Sequence, residues 1–350
     1  MNRHANNFDC IRLLAALAVF ISHQAKLAGH GPIEVSNYHD LGKTGVLVFF
    51  SISGYLVAQS WERDPRPWPF LARRFLRIWP ALACVVLLTV FVLGPATTSL
   101  PLRDYFAAPQ TFGYLGHLLL IIQERLPGVF SGHVIERVNG PLWTIPIEAG
   151  WYAVLALLGV LGMLRYRCTM PLILLACGVY VFGIYGTENQ ETAPFWELEF
   201  GLFFLYGASM HYMRSWWQPR PRLAALALLA LAAASLALGH EYIAIVIALP
   251  YCVIAVACAS TPFARDAGRW GDFSYGIYIY SFPIQQAVMA AGGNALGLAG
   301  STAVALPATL LLAWLSWRFV EEPALGLKRY LQARPQSAIA TGASGQGSAA

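Results

Sequence analysis

Three ionisable side chains, Arg12, His23 and Glu148, lie within otherwise apolar segments of this 350-residue chain. Arg12 and His23 are eleven residues apart. On a helix this spacing is about 16 Å along the axis and about three turns, so both side chains share one face. A desolvated histidine stays neutral and can accept a proton, and a nearby carboxylate would orient its ring. The pattern therefore predicts a general base at His23 that is oriented by Glu148.

Arg12 and His23 also have structural interpretations. Lys and Arg residues anchor the cytoplasmic ends of membrane helices, and Arg12 fits that role as well as a functional one. His23 could be hydrogen-bonded inside a helical bundle without taking part in chemistry. Because an ionisable group within a span costs several kcal/mol, a functional role is favoured for His23.

Arg73, Arg74 and Arg77 form a basic cluster in the segment ARRFLRIWP. Guanidinium groups pair with phosphate oxygens through two parallel hydrogen bonds, so three arginines on adjacent turns are suited to an anionic ligand. The cluster could equally be a topological anchor at a membrane surface. The residues alone leave both interpretations open.

The elements that must position these residues are membrane helices. Hydrophobic residues make up 57% of the chain and charged residues only 12%, whereas soluble domains are about 25% charged. This composition excludes a soluble enzyme, a disordered protein and a nucleic-acid-binding protein. It predicts an all-α polytopic membrane helix bundle over residues 1–331, followed by a disordered cytoplasmic tail over residues 332–350.

Ten apolar segments are long enough to cross a bilayer core, which takes about 20 residues per helix. They cover residues 11–29, 42–60, 80–98, 143–164, 170–186, 196–213, 222–239, 241–260, 273–292 and 297–318. Residues 111–126 are apolar over a shorter stretch and favour an interfacial or re-entrant helix.

The distribution of basic residues predicts the orientation of the bundle. With ten spans, 18 of the 23 Lys and Arg residues lie on the cytoplasmic side. An eleventh crossing at residues 111–126 would leave only 9 of the 23 there. Because cytoplasmic loops carry an excess of Lys and Arg, we expect ten spans with both termini cytoplasmic.

The common motifs of soluble enzymes do not occur in the sequence. It has no P-loop, no GxGxxG after a strand, no HExxH and no GxSxG. None of the six cysteines forms a CxxC pair. We therefore expect no metal site and no permanently bound cofactor.

The opening FDCIRLLAALAVFISH resembles the first helix of the acyltransferase-3 family of integral membrane O-acyltransferases, which carries an Arg and a His separated by ten residues. The resemblance continues in family order to residue 323. Its blocks are GVLVFFSISGYL (45–56), RRFLRIWP (73–80), NGPLWTIPIE (139–148), SYGIYIYSFP (274–283) and EEP (321–323).

This resemblance implies a ten-helix bundle that takes an acyl group, usually acetyl, from cytoplasmic acyl-CoA. The group passes to a hydroxyl of a sugar or other envelope acceptor. The Arg–His pair of the family falls on Arg12 and His23, and its arginine-x-x-arginine motif falls on Arg74 and Arg77.

Within the fourth span, the tryptophan–glutamate block of the family falls on Trp143 and Glu148. Trp143 and Asn139 are the candidate substrate-binding residues of this block. Many relatives have a histidine at the position of Ser281, so this chain departs from the family there.

Together these features suggest a mechanism in which arginines hold the phosphates of acyl-CoA, the donor substrate. The pantetheine arm would pass Arg12 towards His23, which would act as a base or carry the acyl group transiently. Glu148 would orient His23 or bind the acceptor, a carbohydrate or glycolipid. We expect a multi-pass protein of a bacterial inner membrane that does not bind nucleic acid.

The competing interpretation is a transporter or flippase of a small or lipid-linked substrate. Transporters of this kind often contain paired broken helices in two repeated halves. Such pairing is not evident in the sequence, and Arg12 and His23 have no counterparts in the second half.

Overall fold

The fold is a bundle of helices. The computed structural model describes residues 6–184 and 193–331, and within these ranges no β-strand forms. In the same ranges, ten helices are at least 16 residues long. They are α1 (Phe8–Leu27), α2 (Leu41–Arg63), α3 (Pro67–Leu88), α4 (Thr144–Val160), α5 (Thr169–Ile184), α6 (Ala193–Tyr212), α7 (Pro221–Ala237), α8 (Glu241–Cys258), α9 (Ser274–Ala290) and α10 (Gly297–Ser316). Each helix overlaps one predicted segment, which confirms the all-α polytopic bundle.

Six helical stretches are long and apolar enough to cross a membrane by length and composition. They are Phe8–Leu27, Leu41–Arg63, Pro67–Thr97, Gly140–Val160, Glu241–Cys258 and Gly297–Leu331. Two further apolar helices, Thr169–Gly183 and Pro221–Ala237, are shorter. The cytoplasmic position of the termini stays a prediction, and the tail predicted at residues 332–350 lies outside the described residues.

Two glycines let α2 pack directly against α6. A Cβ atom on Gly54 would lie 1.9 Å from the carbonyl oxygen of Phe204, and one on Gly207 would lie 2.0 Å from the carbonyl oxygen of Ser51. Any larger residue at either position would force the helices apart. This close approach fixes α2 at the centre of the bundle, between α1 and α6.

Residues 111–126 form a re-entrant turn. The 3-10 helix Tyr114–Leu119 ends at Leu120, whose φ is +63°. Trp79 donates a hydrogen bond from Nε1 to the carbonyl oxygen of Leu118 at 3.0 Å. Trp79 is twelve residues into α3, about 18 Å from the start of that helix. The turn therefore reaches the middle of the bundle without crossing it, as its short apolar length predicts.

The fourth span begins in the middle of the bundle, where its first residues are tied to α9. The carbonyl oxygen of Ile279 lacks its helical partner because Pro283, four residues on, has no N–H. Asn139 donates its side-chain Nδ2 to that oxygen at 2.9 Å. One turn into the span, the hydroxyl of Thr144 bonds that of Tyr278 at 2.7 Å. The irregular chain before α4 is thus held inside the protein, where non-helical backbone is tolerated at membrane depth.

Reporter fusions test the predicted orientation. Alkaline phosphatase fused after Gly132 should be active, because the long loop before α4 is expected outside. A green fluorescent protein fused after Leu331 should fluoresce, because that end is expected in the cytoplasm. A phosphatase fused after Arg66, between α2 and α3, is the control and should be inactive. The reverse pattern of activities would contradict the orientation.

Candidate active site

Asp272, immediately before α9, joins two of the arginines singled out in the sequence. Its Oδ2 atom accepts from Arg12 Nη1 and from Arg77 Nη2, both at 2.5 Å. Its Oδ1 atom accepts from the hydroxyl of Ser274 at 2.5 Å. Burial raises the pKa of Asp272, but the two arginines outweigh burial and hold that pKa well below its usual range. Arg77 also lies 3.6 Å from the buried carboxylate of Glu321.

A cavity of about 860 Å³ opens beside this ion pair. It lies at the basic end of the bundle, which we define by the start of α1, the end of α2 and the start of α3. Charged residues of these elements line the cavity, and its lining continues along α2, α4 and α9. Its lining includes Arg12, Arg73, Arg74, Arg77, Asp272 and Glu148. The structure therefore brings the whole predicted arginine cluster to one cavity.

The three clustered arginines differ in their partners. Arg73 bonds Asp64 at 2.7 Å and Arg77 bonds Asp272. Arg74 makes no ion pair or hydrogen bond with any residue in the described ranges, and its buried Nε atom has no partner there. Its guanidinium carbon lies 5.9 Å from the centre of the Tyr152 ring. Arg74 is thus the member of the cluster that is best placed to receive an anion.

Glu148 lies in the same cavity and not beside His23. One of its oxygens accepts from Ser53 Oγ at 2.9 Å and from the hydroxyl of Tyr152. Ser22, the neighbour of His23, lies beside Gly42, eleven residues before Ser53 on α2. Eleven residues of helix span about 16 Å. The predicted orientation of His23 by Glu148 through direct contact is therefore wrong, because the two side chains lie at different depths.

His23 lies beyond the inner end of the cavity. That end is lined by Phe49 and Tyr278, whose ring centres are 5.8 Å apart. One turn further along α9, the ring of Phe282 meets the imidazole of His23 edge-on, with centres 5.1 Å apart. The Nδ1 atom of His23 is buried and has no hydrogen-bond partner among the described residues.

An ion pair lies next to His23 at the opposite end of the bundle from the cavity mouth. Lys26 and Asp40 are 2.6 Å apart, and Asp40 also caps α2 by accepting from the backbone N–H of Lys43. Burial raises the pKa of Asp40, but the bonds from Lys26 and Lys43 outweigh burial, so that pKa lies below its usual range. The pair therefore presents no net charge towards His23.

The remaining sequence candidates lie just before α4 and on α9. Trp143 packs against Phe200, with ring centres 5.5 Å apart. Asn139 is buried and bonds Ile279, as described above, and its Oδ1 atom has no partner in the described ranges. Ser281 is fully buried and donates only a long 3.4 Å bond to the carbonyl oxygen of Tyr278.

Four residues of this region escaped sequence reasoning. Asp272 and Glu321 pair with the arginines, and Ser53 and Tyr152 bind Glu148. Asp272 directly precedes the block at 274–283, and Glu321 opens the block at 321–323. Their acidic side chains beside family-like blocks were the available signal. Among the described residues, no group of His, Cys, Asp and Glu is arranged to hold a metal ion.

Removal of the Asp272 charge should destabilise the protein. Breaking a buried ion pair by removing one partner costs about 3–5 kcal/mol, so we expect Asp272→Asn to lower the apparent Tm in detergent at pH 7. The folded pKa of Asp272 lies below the unfolded value of about 3.9. The contribution of ionised Asp272 to the free energy of unfolding is therefore present above about pH 4, and it is lost as the pH falls through the folded pKa.

The difference in Tm between the variant and the native protein should accordingly shrink below about pH 4. Asp266→Asn is the matched control, because Asp266 is half exposed and lies 3.9 Å from Arg265. A Tm difference that is absent at pH 7, or that does not change with pH, would contradict the assigned role of Asp272.

Comparison of the sequence with known proteins identifies the family of this chain. The acyltransferase-3 family model, described as an acyltransferase domain, matches residues 6–318. An O-acetyl transferase of Shigella phage Sf6 is 32% identical over 91% of this chain and 95% of its own length. Nodulation protein 10 of Rhizobium leguminosarum bv. viciae is 28% identical over 95% of this chain and 96% of its own length. No solved structure gives a significant match.

The family match covers nearly the whole chain, and it confirms the resemblance on which the sequence interpretation rested. It also favours group transfer over transport as the activity of the bundle. The protein therefore belongs to the acyltransferase-3 family and is an integral membrane O-acyltransferase.

Proposed function

We propose that this enzyme moves an acetyl group from acetyl-CoA to a hydroxyl of a carbohydrate or glycolipid. The supporting observation is the arginine-lined cavity of about 860 Å³ that leads from the basic end of the bundle towards His23. Acetyl is the choice because it is the usual acyl group of the family. The Shigella phage relative is named an O-acetyl transferase, which agrees with acetyl as the transferred group.

The basic cavity is the proposed donor site. Arg74 offers a guanidinium to which no described carboxylate is bonded, and Arg73 and Arg77, each paired with a carboxylate, line the same cavity. Phosphate oxygens of acetyl-CoA would bind at these arginines, because bidentate guanidinium–phosphate pairs are strong. The flexible pantetheine arm would then extend past Arg12 towards Tyr278 and Phe49, so that the thioester approaches His23.

His23 is the proposed general base. The Nδ1 atom of His23 is buried, and the neighbouring Lys26–Asp40 pair carries no net charge. Such surroundings favour the neutral imidazole, which is the form that accepts a proton. The hydroxyl of the acceptor would transfer its proton to His23 while its oxygen attacks the thioester carbonyl carbon. The carbon–sulfur bond then breaks, and CoA leaves after its thiolate takes up a proton.

Glu148 acquires a different role from the one that the sequence suggested. Its hydrogen bonds to Ser53 and Tyr152 place a carboxylate beside Arg74, within the proposed donor site. We propose that this cluster fixes the position of Arg74, through the contact of Arg74 with the ring of Tyr152. Glu148 is then a positioning residue of donor binding and not a partner of His23.

The predicted orientation places the cavity mouth in the cytoplasm, where acetyl-CoA is made. We propose a bacterial inner membrane as the location and a cell-envelope or exported carbohydrate as the acceptor. Comparing the masses of surface glycans with and without the gene tests this acceptor class. Loss of the mass of one acetyl group per modified sugar would identify the acceptor, and unchanged glycan masses would contradict it.

Replacement of His23 tests the proposed base. General base catalysis contributes about 10²- to 10⁴-fold to rate, so His23→Ala should reduce acetyl transfer by about 100-fold or more. The amount of the His23→Ala variant in the membrane and its affinity for acetyl-CoA should stay near those of the native protein. His30→Ala is the control, because His30 lies on the exposed turn after α1. Normal transfer by stably inserted His23→Ala would rule out His23 as the base.

Replacement of Arg74 tests the donor site. Hydrogen bonds to charged groups contribute about 1.5–3 kcal/mol, so Arg74→Gln should raise the Kd for acetyl-CoA by about 10- to 100-fold. Arg165→Gln is a suitable control, because Arg165 is exposed and bonds Tyr166, and neither residue lines the cavity. Equilibrium binding of radiolabelled acetyl-CoA to purified protein provides the measurement. An unchanged Kd for Arg74→Gln would remove Arg74 from the donor site.

A further inference from the structure

Buried side chains around His23 present hydrogen-bonding atoms that no described residue uses. They are His23 Nδ1, Gln24 Oε1, Gln285 Oε1 and Asn139 Oδ1. Gln24, Gln285 and Asn139 are at most 3% exposed. Most buried polar atoms in folded proteins have a partner, and each exception calls for an explanation. These four atoms lie in one region of the bundle, although buried atoms elsewhere in the described residues, such as Ser209 Oγ and Tyr212 OH, also lack a partner.

The orientation of two of these amides is fixed by backbone carbonyl groups. Gln285 donates Nε2 to the carbonyl oxygen of Phe20 at 2.8 Å, and Asn139 donates Nδ2 to that of Ile279 at 2.9 Å. A carbonyl oxygen accepts only, so the amide nitrogen must face it. The amide oxygen on the other branch then points elsewhere. Both oxygens are acceptors that still need a donor.

The two amides lie close to His23. Gln285 bonds the carbonyl oxygen of Phe20, which is three residues before His23 on α1. Phe282, one turn before Gln285 on α9, contacts the imidazole of His23. The same Phe282 ring lies 3.4 Å from the Cβ position of Gly140, the neighbour of Asn139. Phe282 therefore contacts both His23 and the segment that carries Asn139, and Gln285 lies one turn along α9 from Phe282.

The amide oxygens near His23 favour an uncharged ligand that carries several hydroxyls. Hydroxyl groups donate to amide oxygens, whereas a phosphate or carboxylate would be repelled by them. The nearby ions, Lys26 and Asp40, are paired with each other at 2.6 Å and leave no free charge for an anion. The basic cavity with Arg74 is cationic and suits an anion. The proposed donor site and the region around His23 therefore differ in charge.

We propose that the amide oxygens of Gln285 and Asn139 bind neighbouring hydroxyls of an uncharged polyol, the acyl acceptor, and so hold its reacting hydroxyl at His23. This assignment rests on the proposed acetyl transfer and adds Gln285 as an acceptor-binding residue. The reacting hydroxyl gives its proton to His23 and forms the ester bond, while the thioester bond breaks and CoA leaves. The bound neighbouring hydroxyls stay unchanged.

Gln285→Met tests the proposal because it keeps the length of the side chain and removes the amide, which takes away the acceptor oxygen together with the Nε2 bond to Phe20. Membranes of the source organism without the gene provide the acceptor, and radiolabelled acetyl-CoA provides the donor. We expect the amount of acceptor membranes needed for half-maximal transfer to rise by about 5- to 10-fold, as for the loss of one hydrogen bond. The Kd for acetyl-CoA and the rate at saturating acceptor should stay within about twofold.

Thr309→Val is the matched control, because the buried hydroxyl of Thr309 bonds only its own helix at Ala305. It should leave acceptor saturation unchanged. Asn139→Leu, on a different element, provides a second test if Gln285→Met does not fold, as judged by acetyl-CoA binding. Equal acceptor saturation for native and variant proteins, or equal loss of donor and acceptor binding, would overturn the proposal. Absence of transfer by the native protein would overturn the proposed function as well.

Discussion

The ion pairs of Asp272 are the constraint on which the basic end of the bundle depends. Transfer of a guanidinium from water into the interior of a helix bundle costs several kcal/mol unless a carboxylate pairs with it. Asp272 satisfies Arg12 of α1 and Arg77 of α3 at once, and it stands at the start of α9. Three helices are therefore held at one point. The cavity beside them keeps its shape because neither arginine can leave this carboxylate cheaply.

This pairing also divides the arginines by function. Charges that are already neutralised by Asp272 and Asp64 build the walls of the cavity, and they have less to gain from a ligand. Arg74 has an aromatic ring as its neighbour, and no carboxylate bonds it in the described part of the chain. Its hydrogen-bond donors are thus available for an anion. The same folding constraint that fixes the helices leaves Arg74, among the three arginines of the cluster, for binding.

The second constraint is the break at the start of the fourth span. Pro283 frees a carbonyl oxygen in α9, and Asn139 satisfies it from the irregular chain before α4. Backbone that is not helical can exist at this depth only where protein surrounds it. Polar atoms consequently reach the middle of an otherwise apolar bundle, next to His23. On the proposed mechanism, the thioester meets the acceptor there after it passes Phe49 and Tyr278.

The sequence by itself determined the class of protein and the approximate positions of its long helices, because apolar length is a local property. The largest departure is α3, which begins thirteen residues before the predicted third span. It also selected Arg12, His23 and the arginine cluster, because ionisable groups stand out against an apolar background. Only the tertiary structure decided which groups meet. Glu148 joins Ser53 and not His23, and Asp272 joins Arg12, because helix register and tilt are set by packing between segments that are far apart in the chain.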